Sequence, residues 1–505
     1  MTTSMAPSDR RRAAISALAL AGIIALAFAL RFWRLGEWNF QATEIFTLRD
    51  SLTLKLRNPR PLGYLLNYYL VRPFRPLDEF GLRLLPALFG ALAVPAFYSV
   101  ARRLIGTRAA LFGTLFVAVS PLLVLYSQLA RYWSLVFLFC VIYPYALYLG
   151  LRDRNARALA IGLVAAVLAA LAHPVSVLLF GGLAIWFLAA NLRPGYLSQL
   201  WSQKSVRWAA LVAAVLAGVM LVRFVPVLQS WIAEHDKNPG SGQFLLRPKP
   251  APGVKQLIYI SAFVESLTLP LVLTAVGGIY LLWQEKDRTL ALLLTCLAGF
   301  PLVFLSLISI RTPVSTYYLL PAVPVFFIGA GVFLDRVADT AGGISPRWLL
   351  PAVLAAMVIA AGLPTMISDF RDGRRYDFRG AAHWLEPSLA PGDVVFSDQH
   401  MVLAHYLPSV PVQRLRPDSA SLAQSLRELR QSGQGQAVWI VAPAPSHAFR
   451  TNLKAGGLLT WIFDNCRVRH TRGVGRVDFR QEYLQVYRCP AGPVDPGPAE
   501  AATSK

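Results

Sequence analysis

The residues best suited to chemistry lie in the stretch SPLLVLYSQLARYW at positions 120–133, where a polar cluster separates two apolar runs. The cluster contains Gln128, Arg131 and Tyr132. An arginine between two segments of membrane length is costly unless its charge meets an anion or faces water. A guanidinium offers a planar fork of donors that matches a phosphate, and it keeps its charge when partly buried. We therefore expect Arg131 to bind a phosphate, with Gln128 and Tyr132 as neutral donors that line the same pocket.

A second candidate is the carboxylate of Glu44, which has apolar neighbours and follows the first apolar run. Partial burial raises the pKa of a carboxyl group towards neutrality, which suits a general base that takes a proton from a hydroxyl. The alternative is a salt bridge between Glu44 and Arg49 or another arginine of the same loop, and position alone slightly favours it. Lys55 and Arg60 are further basic residues of this loop that we predict to bind the phosphate.

The composition indicates a polytopic α-helical membrane protein. The chain has 505 residues, of which 55% are hydrophobic, and its mean hydropathy is +0.48. Its apolar stretches of about 17–22 residues match the hydrocarbon thickness that a helix must cross. The net charge of +22 is spread among the loops between these stretches, which argues against nucleic acid as a partner. The first apolar run ends in LRFWR, not in the small residues of a signal-peptide cleavage site, so we expect it to remain as a helix.

The apolar runs predict eleven transmembrane helices. Short basic loops alternate with these runs, and all of them fall on one side if the N-terminus is cytoplasmic, as the positive-inside rule requires. The outer side then receives the loop 32–83, the turn at Arg131, the loop 225–256 and everything after residue 367. The predicted spans are 13–31, 84–101, 109–126, 134–151, 158–172, 174–191, 207–224, 257–283, 289–309, 314–334 and 348–367.

Three more polar side chains fall on the outer side. His173 ends the fifth span, and Tyr317 and Tyr318 begin the tenth. Residues of these types pack at a membrane interface more often than they bind a ligand. Pocket lining and packing therefore both stay open for them.

The C-terminal part of the chain has a different pattern, in which helix-like segments alternate with short β-like runs. This alternation predicts a small outer α/β domain at 368–490, after a transmembrane domain at 1–367 that includes the loop 32–83. The Pro- and Ala-rich tail 491–505 is predicted to be disordered. The helix-like segments are 379–385 and 421–431, and the β-like runs are 393–396, 437–441 and 483–487.

The four cysteines show no metal-binding spacing. Cys140 and Cys296 lie in apolar runs, whereas Cys466 and Cys489 lie in the predicted outer domain. In an oxidising outer compartment the latter two could form a disulfide. Two buried free thiols are an equally weighted alternative.

Several motifs occur in one order along the chain. They are PLGYLL at 61–66, RLLPALFG at 83–90, YSQ at 126–128 with Arg131, YLLP at 318–321 and DFRGAA at 377–382. Together they resemble the membrane glycosyltransferases of the GT-C fold, and most of all the dolichyl-phosphate-mannose–protein mannosyltransferase and aminoarabinose transferase family (glycosyltransferase family 39). The resemblance covers the chain from Arg31 to about Asp393.

The resemblance implies an inverting transfer of a sugar from a polyprenyl-phosphate donor to a lipid, glycan or protein acceptor on the outer face. It assigns the donor phosphate to Arg131 and the general base to an Asp-Glu pair, which is Thr43-Glu44 here, so Glu44 alone would act. Leu129 replaces a glutamate of many relatives. Because both acids are missing, a divalent metal is disfavoured and no cofactor is expected. We expect Glu44 and Arg131 to converge on one outer pocket.

Two other functions stay open. A transporter or flippase for a lipid-linked sugar would place ionisable residues near the bilayer midplane, often within internal repeats, whereas this chain keeps its charges in loops. A non-catalytic relative that binds a polyprenyl phosphate fits the loss of acids at Thr43 and Leu129. The Ala- and Arg-rich composition favours a bacterial inner membrane, with the C-terminal domain in the periplasm.

Overall fold

The computed structural model describes most of the chain, in blocks separated by gaps. Lys55, the predicted helix 421–431 and the tail 491–505 lie outside the described residues, as do nearly all of the predicted span 207–224 and loop 225–256. The described residues are 7–54, 60–191, 207, 255–286, 288–309, 314–340, 349–373, 375–415, 437–443, 462, 466–477 and 480–490.

Helices dominate the chain up to residue 372. Among the described residues they are α1 (Pro7–Phe32), α2 (Ala42–Thr53), α3 (Pro61–Leu66), α4 (Glu79–Ile105), α5 (Thr107–Val119), α6 (Pro121–Ser127), α7 (Trp133–Arg152), α8 (Ala156–Ala172), α9 (Leu178–Asn191), α10 (Lys255–Leu267), α11 (Leu269–Trp283), α12 (Thr289–Ser309), α13 (Val323–Thr340) and α14 (Leu349–Asp372). A π-helical turn (Asn67–Val71) follows α3, and 3₁₀ turns precede α9 (Pro174–Val177) and α13 (Thr316–Ala322).

The chain is a multi-pass membrane protein. In the described part, six helices are long and apolar enough to span a bilayer, or up to eight if each bent pair counts as one span, and two shorter apolar helices accompany them. The predicted number of eleven is therefore not confirmed. Two runs that the sequence predicts as single helices are in fact pairs, α5 with α6 and α10 with α11, bent by 54° and 90°. The first bend lies at Pro121, which has no N–H for the helical ladder, and the second follows Thr268, whose φ is +73°.

Small residues set the spacing of the central helices. A Cβ on Gly278 of α11 would lie 1.8 Å from the carbonyl oxygen of Gly329 on α13. A Cβ on Gly331, also on α13, would lie 2.3 Å from the carbonyl oxygen of Ala109 on α5. Close approach at small residues is how helices associate where no water drives them together. These glycines thus hold α13 between α5 and α11.

Contacts divide the chain into two units. Of the described residues, the first unit contains those up to Glu37 and those from Thr47 to Ile367. The second contains Trp38–Phe46 and the residues from Ser368 onwards. The sequence analysis assigned Trp38–Phe46 to the transmembrane domain with the rest of the loop 32–83. The first turn of α2 belongs to the second unit and its later turns to the first.

The second unit contains a five-stranded mixed sheet of order β2-β1-β3-β5-β4. β1 pairs in parallel with β2 and β3, while β5 pairs antiparallel with β3 and β4. The β-like runs of the sequence correspond to β1, β3 and β5, and the first helix-like segment corresponds to α15. The sequence missed β2 and β4, because β2 is short and β4 carries several arginines. The elements are α15 (Phe378–Leu385), β1 (Val394–Ser397), α16 (His400–Tyr406), β2 (Val412–Arg414), β3 (Ala437–Pro443), β4 (Arg467–Val477) and β5 (Arg480–Pro490).

A disulfide joins Cys466 and Cys489 in this unit, which decides between the two alternatives for these cysteines. Cys489 is buried on β5, and Cys466 directly precedes β4. The bond therefore ties the start of one edge strand to the end of its neighbour. Cys140 and Cys296 are free thiols.

Replacement of both bonded cysteines by serine should destabilise the second unit. The bond closes a loop of 23 residues, and removal of such a constraint costs about 3 kcal/mol. A lower thermal midpoint in non-reducing detergent, converging with wild type in excess dithiothreitol, is the expected result. Cys296→Ser serves as the control, since it removes a free thiol. Equal midpoints of wild type and the double variant without reductant would contradict the prediction.

Candidate functional site

Arg31 donates hydrogen bonds to carbonyl oxygens at the break between α5 and α6. Its side chain is 1% exposed, and it donates from Nη1 to the carbonyl oxygens of Ala27 at 3.2 Å and Ala118 at 2.9 Å. Its Nη2 donates to the carbonyl oxygen of Val117 at 3.0 Å. Helix ends leave carbonyls without intrahelical partners, and Pro121 has no N–H to offer to Val117. Arg31 thus satisfies carbonyls that the bend exposes.

Gln128 likewise donates hydrogen bonds to carbonyl oxygens at the end of α1. Its Nε2 donates to the carbonyl oxygens of Trp33 at 2.8 Å and Leu30 at 3.2 Å, at the C-terminal end of that helix. The buried guanidinium of Arg83 donates to the carbonyl oxygen of Leu35 at 3.2 Å. The sequence analysis expected Gln128 to line a pocket beside Arg131. The structure shows that its amide caps the end of α1, and the pocket-lining role stays a prediction.

Arg131 and Arg60 meet at one phenol oxygen. Arg131 Nη2 donates to the Tyr132 hydroxyl at 2.7 Å, and Arg60 Nη1 donates to the same oxygen. Arg131 Nη1 also donates to Thr47 Oγ1 at 3.0 Å, which holds the guanidinium against α2. The guanidinium carbon of Arg131 lies 4.7 Å from the centroid of the Tyr132 ring, and that of Arg60 lies 5.4 Å from it. Three of the predicted site residues are thus in direct contact, and together they concentrate two positive charges.

A cavity opens beside Arg131. Its walls combine polar groups with a larger apolar surface. The polar lining comes from Thr47, Tyr64, Asn67, Arg131 and Tyr132, and the apolar lining from Leu66, Leu85, Pro86, Phe89, Ala130 and Leu135, with Gly63. A mixed wall of this kind suits an amphiphile that has an anionic head and an apolar tail.

The other predicted pocket residues form an aromatic cluster around Trp133. The ring of Trp133 lies 4.7 Å from His173 and 4.6 Å from Tyr317, measured between centroids. Tyr132 packs 5.0 Å from His173, and Tyr318 lies 4.8 Å from Tyr317. The cluster therefore connects α7 with the turns that precede α9 and α13. Through Tyr132 it also supports the two guanidinium groups.

Burial and charge set the protonation states here. Burial, with the positive charges of Arg60 and Arg131, holds the pKa of His173 well below its usual value, so the ring stays neutral. Its Nδ1 accepts a hydrogen bond from the Val175 amide at 3.0 Å, so Nε2 carries the proton. Burial lowers the pKa of Arg60, but the oxygens of Tyr132, Tyr64 and Tyr318 raise it by more. Arg60 accordingly keeps its charge in this setting.

Glu44 is fully buried and forms an ion pair with Arg375. Arg375 Nη1 donates to Glu44 Oε2 at 3.1 Å, and the Gln41 amide donates to the same oxygen at 2.9 Å. The alternative predicted from the sequence, a salt bridge, is therefore correct in kind. The partner that the structure shows is Arg375, a residue 331 positions away. Glu44 and Arg131 belong to different units, and their predicted convergence stays a prediction.

Comparisons with known proteins agree with this architecture. A family model described as dolichyl-phosphate-mannose-protein mannosyltransferase matches residues 66–230. No curated protein matches the chain significantly. Apo ArnT from Cupriavidus metallidurans superposes with a TM-score of 0.56 at 17% identity, over 95% of this chain and 98% of that one. ArnT bound to undecaprenyl phosphate gives a TM-score of 0.54 at 17% identity, over 94% and 97% of the two chains. The apo oligosaccharyltransferase of Archaeoglobus fulgidus gives 0.56 at 11% identity, over 84% of this chain and 69% of that one.

The chain has the GT-C fold. The resemblance predicted from the ordered motifs is therefore confirmed. Within the GT-C fold of this chain, the motif at 83–90 lies on α4 and supplies Leu85, Pro86 and Phe89 to the cavity. The motif at 61–66 forms α3, which supplies Gly63, Tyr64 and Leu66. Motifs distant in sequence thus line one cavity.

The sequence analysis missed Thr47, which contacts Arg131, and Arg375, which pairs with Glu44 in the second unit. Thr47 follows Glu44 by one helical turn on α2, so a helical reading of that stretch would have placed it on the same helix face as Glu44. Arg375 had no such signal, because it is one of several basic residues after α14. The described part of the chain contains no cluster of three or more metal-ligating side chains, and the absence of a metal stays a prediction.

Gln128→Leu should destabilise the protein without weakening ligand binding. The substitution leaves carbonyls at the end of α1 without a donor, which costs about 1–3 kcal/mol. We expect a lower thermal midpoint in detergent and an unchanged dissociation constant for undecaprenyl phosphate. Gln284→Leu, at an exposed position after α11, is the control. A variant that loses affinity at unchanged stability would instead support a pocket-lining role for Gln128.

Proposed function

We propose that this protein is a membrane glycosyltransferase that moves a sugar from a polyprenyl-phosphate donor to an acceptor hydroxyl on the extracytoplasmic side. The observation that carries the proposal is the pair of guanidinium groups, Arg60 and Arg131, that meet on the Tyr132 hydroxyl beside a cavity with mostly apolar walls. Two fixed cations bind a phosphate, and the apolar walls receive the first isoprene units. Lys55, from the same loop, is proposed as a third phosphate ligand.

The GT-C fold supports this assignment. Its matched neighbours include ArnT bound to undecaprenyl phosphate, which is a lipid with the required chemistry. We extend that ligand class to the present chain because Arg131 would bind the phosphate of such a molecule and the apolar cavity would receive its first isoprene units. A bacterial inner membrane, with a cytoplasmic N-terminus and a periplasmic second unit, follows as the proposed location. No metal takes part in the proposed reaction.

The proposed reaction is a single displacement. The acceptor hydroxyl oxygen attacks the anomeric carbon, the bond from that carbon to the phosphate oxygen breaks, and the polyprenyl phosphate leaves with both bonding electrons. Arg131 and Arg60 stabilise the charge that develops on the leaving phosphate. Glu44 takes the proton of the acceptor hydroxyl. One displacement inverts the configuration at the anomeric carbon.

A second candidate function is that of a non-catalytic protein that binds a polyprenyl phosphate. The ion pair of Glu44 with Arg375 favours it, since a carboxylate that serves only structure would be buried and paired in the same way. The replacements at Thr43 and Leu129 favour it too. In this case the Arg131 site would retain its ligand, and no sugar would be transferred.

Transfer and binding assays separate these functions. Purified protein in nanodiscs is supplied with polyprenyl-phosphate donors that carry radiolabelled pentose or hexose, and with lipid, glycan and peptide acceptors. Label on an acceptor, with release of polyprenyl phosphate, supports the transferase. Binding of undecaprenyl phosphate without transfer supports the second candidate, whereas movement of intact donor across proteoliposome membranes indicates a flippase.

Arg131→Ala should weaken the binding of undecaprenyl phosphate about 10- to 100-fold, because a charge-assisted pair of hydrogen bonds to the phosphate is lost. Arg131→Lys should recover only part of the affinity, since an ammonium lacks the planar fork. The measurement is a titration in nanodiscs. Arg72→Ala is the control, because Arg72 is exposed in the same outer loop. Unchanged affinity in the Arg131→Ala variant would exclude the phosphate clamp.

Glu44→Gln should abolish most of the transfer and leave donor binding unchanged. Glutamine keeps the size and the hydrogen bonding of the side chain but cannot accept the proton, and loss of a general base costs about 100- to 10,000-fold in rate. The rate is measured per folded molecule, because the variant leaves Arg375 without its countercharge. Glu37→Gln, an exposed carboxylate paired with Arg34, is the control. Full activity of Glu44→Gln would remove Glu44 from the reaction.

A further inference from the structure

The Glu44–Arg375 pair lies in a dry environment. Glu44 is 0% exposed, and the side chain of Arg375 is 3% exposed. Nη1 of Arg375 carries two hydrogens and donates one to Glu44 Oε2 at 3.1 Å and the other to the Asn39 carbonyl oxygen at 3.1 Å. The Gln41 amide gives Oε2 a second donor at 2.9 Å. One carboxylate oxygen is thus fixed by two donors, and this sets the orientation of the whole carboxylate.

The segment that carries Glu44 is held at several further points within the second unit. Asn39 Nδ2 donates to the Tyr376 carbonyl oxygen at 3.0 Å, next to Arg375. The Phe40 amide donates to the Tyr406 hydroxyl at 2.6 Å.

Gly373, two residues before Arg375, allows this packing. Its φ is +70°, a conformation that favours glycine, and a Cβ at this position would lie 2.4 Å from the Trp38 ring. The chain just after α14 is therefore shaped to fit the segment 38–46.

We propose that Arg375 is a positioning residue that orients Glu44 for proton removal from the acceptor hydroxyl. This inference rests on the proposed function, and it makes the second unit, which supplies Arg375, a requirement for catalysis. Burial alone would drive an unpaired carboxyl group towards its neutral form, in which it cannot take a proton. The guanidinium supplies the countercharge of Glu44 and, with the Gln41 amide, fixes Oε2, which sets the plane of the carboxylate.

The free-energy cost of burying two charges is the reason to expect a function for the Glu44–Arg375 pair. A buried ion pair is often no more stabilising than apolar residues of the same volume, because both charges lose their hydration. The segment 38–46 could be attached to the second unit without charges, as the Phe40–Tyr406 contact illustrates. Attachment alone therefore does not account for a charged pair at this point, and the ionised group is what the proposed reaction uses.

The test is a double-mutant cycle on the transfer rate. Arg375→Ala and Arg375→Lys are made in the wild-type protein and in the Glu44→Gln variant, and kcat and KM for the donor are measured per folded molecule. Arg414→Ala, an exposed arginine on β2 of the same unit, is the control. Arg375→Gln, which keeps a hydrogen-bond donor without a charge, replaces the alanine variant if that variant does not fold.

The expected result is a fall in kcat of about 100-fold for Arg375→Ala with an unchanged KM, since misplaced catalytic groups typically cost this much. Arg375→Lys should recover part of the loss. In the Glu44→Gln background, Arg375→Ala should have no further effect, because the group through which it acts is already lost.

Two results would overturn the inference. If Arg375→Ala lowers kcat by the same factor with and without Glu44, or lowers only the folded fraction, Arg375 is structural while the proposed function stands. If the wild-type protein transfers no sugar from any of the donors, the proposed function fails and the inference falls with it.

Discussion

The architecture depends on the satisfaction of backbone carbonyls where apolar helices end or bend. No water is available in hydrocarbon to bind an orphaned carbonyl, so a break is tolerated only where protein donors replace the missing amides. Arg31 supplies donors to Val117 and Ala118 at the end of α5, and Gln128 supplies them to the end of α1. Arg31, on α1, thus caps α5, and Gln128, directly after α6, caps α1. The bend that precedes Arg131 is stable for this reason.

The capped bend has a chemical consequence. After the bend, α6 is short: it ends at Ser127, and α7 begins at Trp133, so the turn between them presents Arg131 and Tyr132 together. Two guanidinium groups on one phenol oxygen repel each other, and their proximity is favourable only where an anion or other acceptors compensate. Thr47 and the tyrosine oxygens provide such compensation in the structure. In the proposed function a phosphate would add to it, and this electrostatic argument connects the fold to the proposed donor.

The sequence predicted the features that depend on local pattern and failed on those that depend on distant partners. The apolar runs located the helices, and Arg131 indicated the candidate site, since an arginine between membrane segments is costly. The bend of α10 against α11 was not predicted, because both halves are apolar and a hydropathy pattern does not specify the direction in which a helix runs. The hydrogen bonds of Gln128 were not predicted for a related reason: an amide beside Arg131 in sequence donates to carbonyls nearly a hundred residues away. Arg375 is further still from Glu44, so composition gave no indication of the pair.

The charged groups of Arg131 and Glu44 also differ in how deeply they are buried. Arg131 is half-buried on a cavity wall, so an incoming phosphate displaces little protein. Glu44 is buried with its countercharge. In the proposed reaction, Glu44 reaches an acceptor hydroxyl only after the segment 38–46 shifts or the acceptor enters beside it. That segment is anchored by Arg375, Tyr376 and Tyr406, so the contacts that orient the proposed base would also control its access to the acceptor.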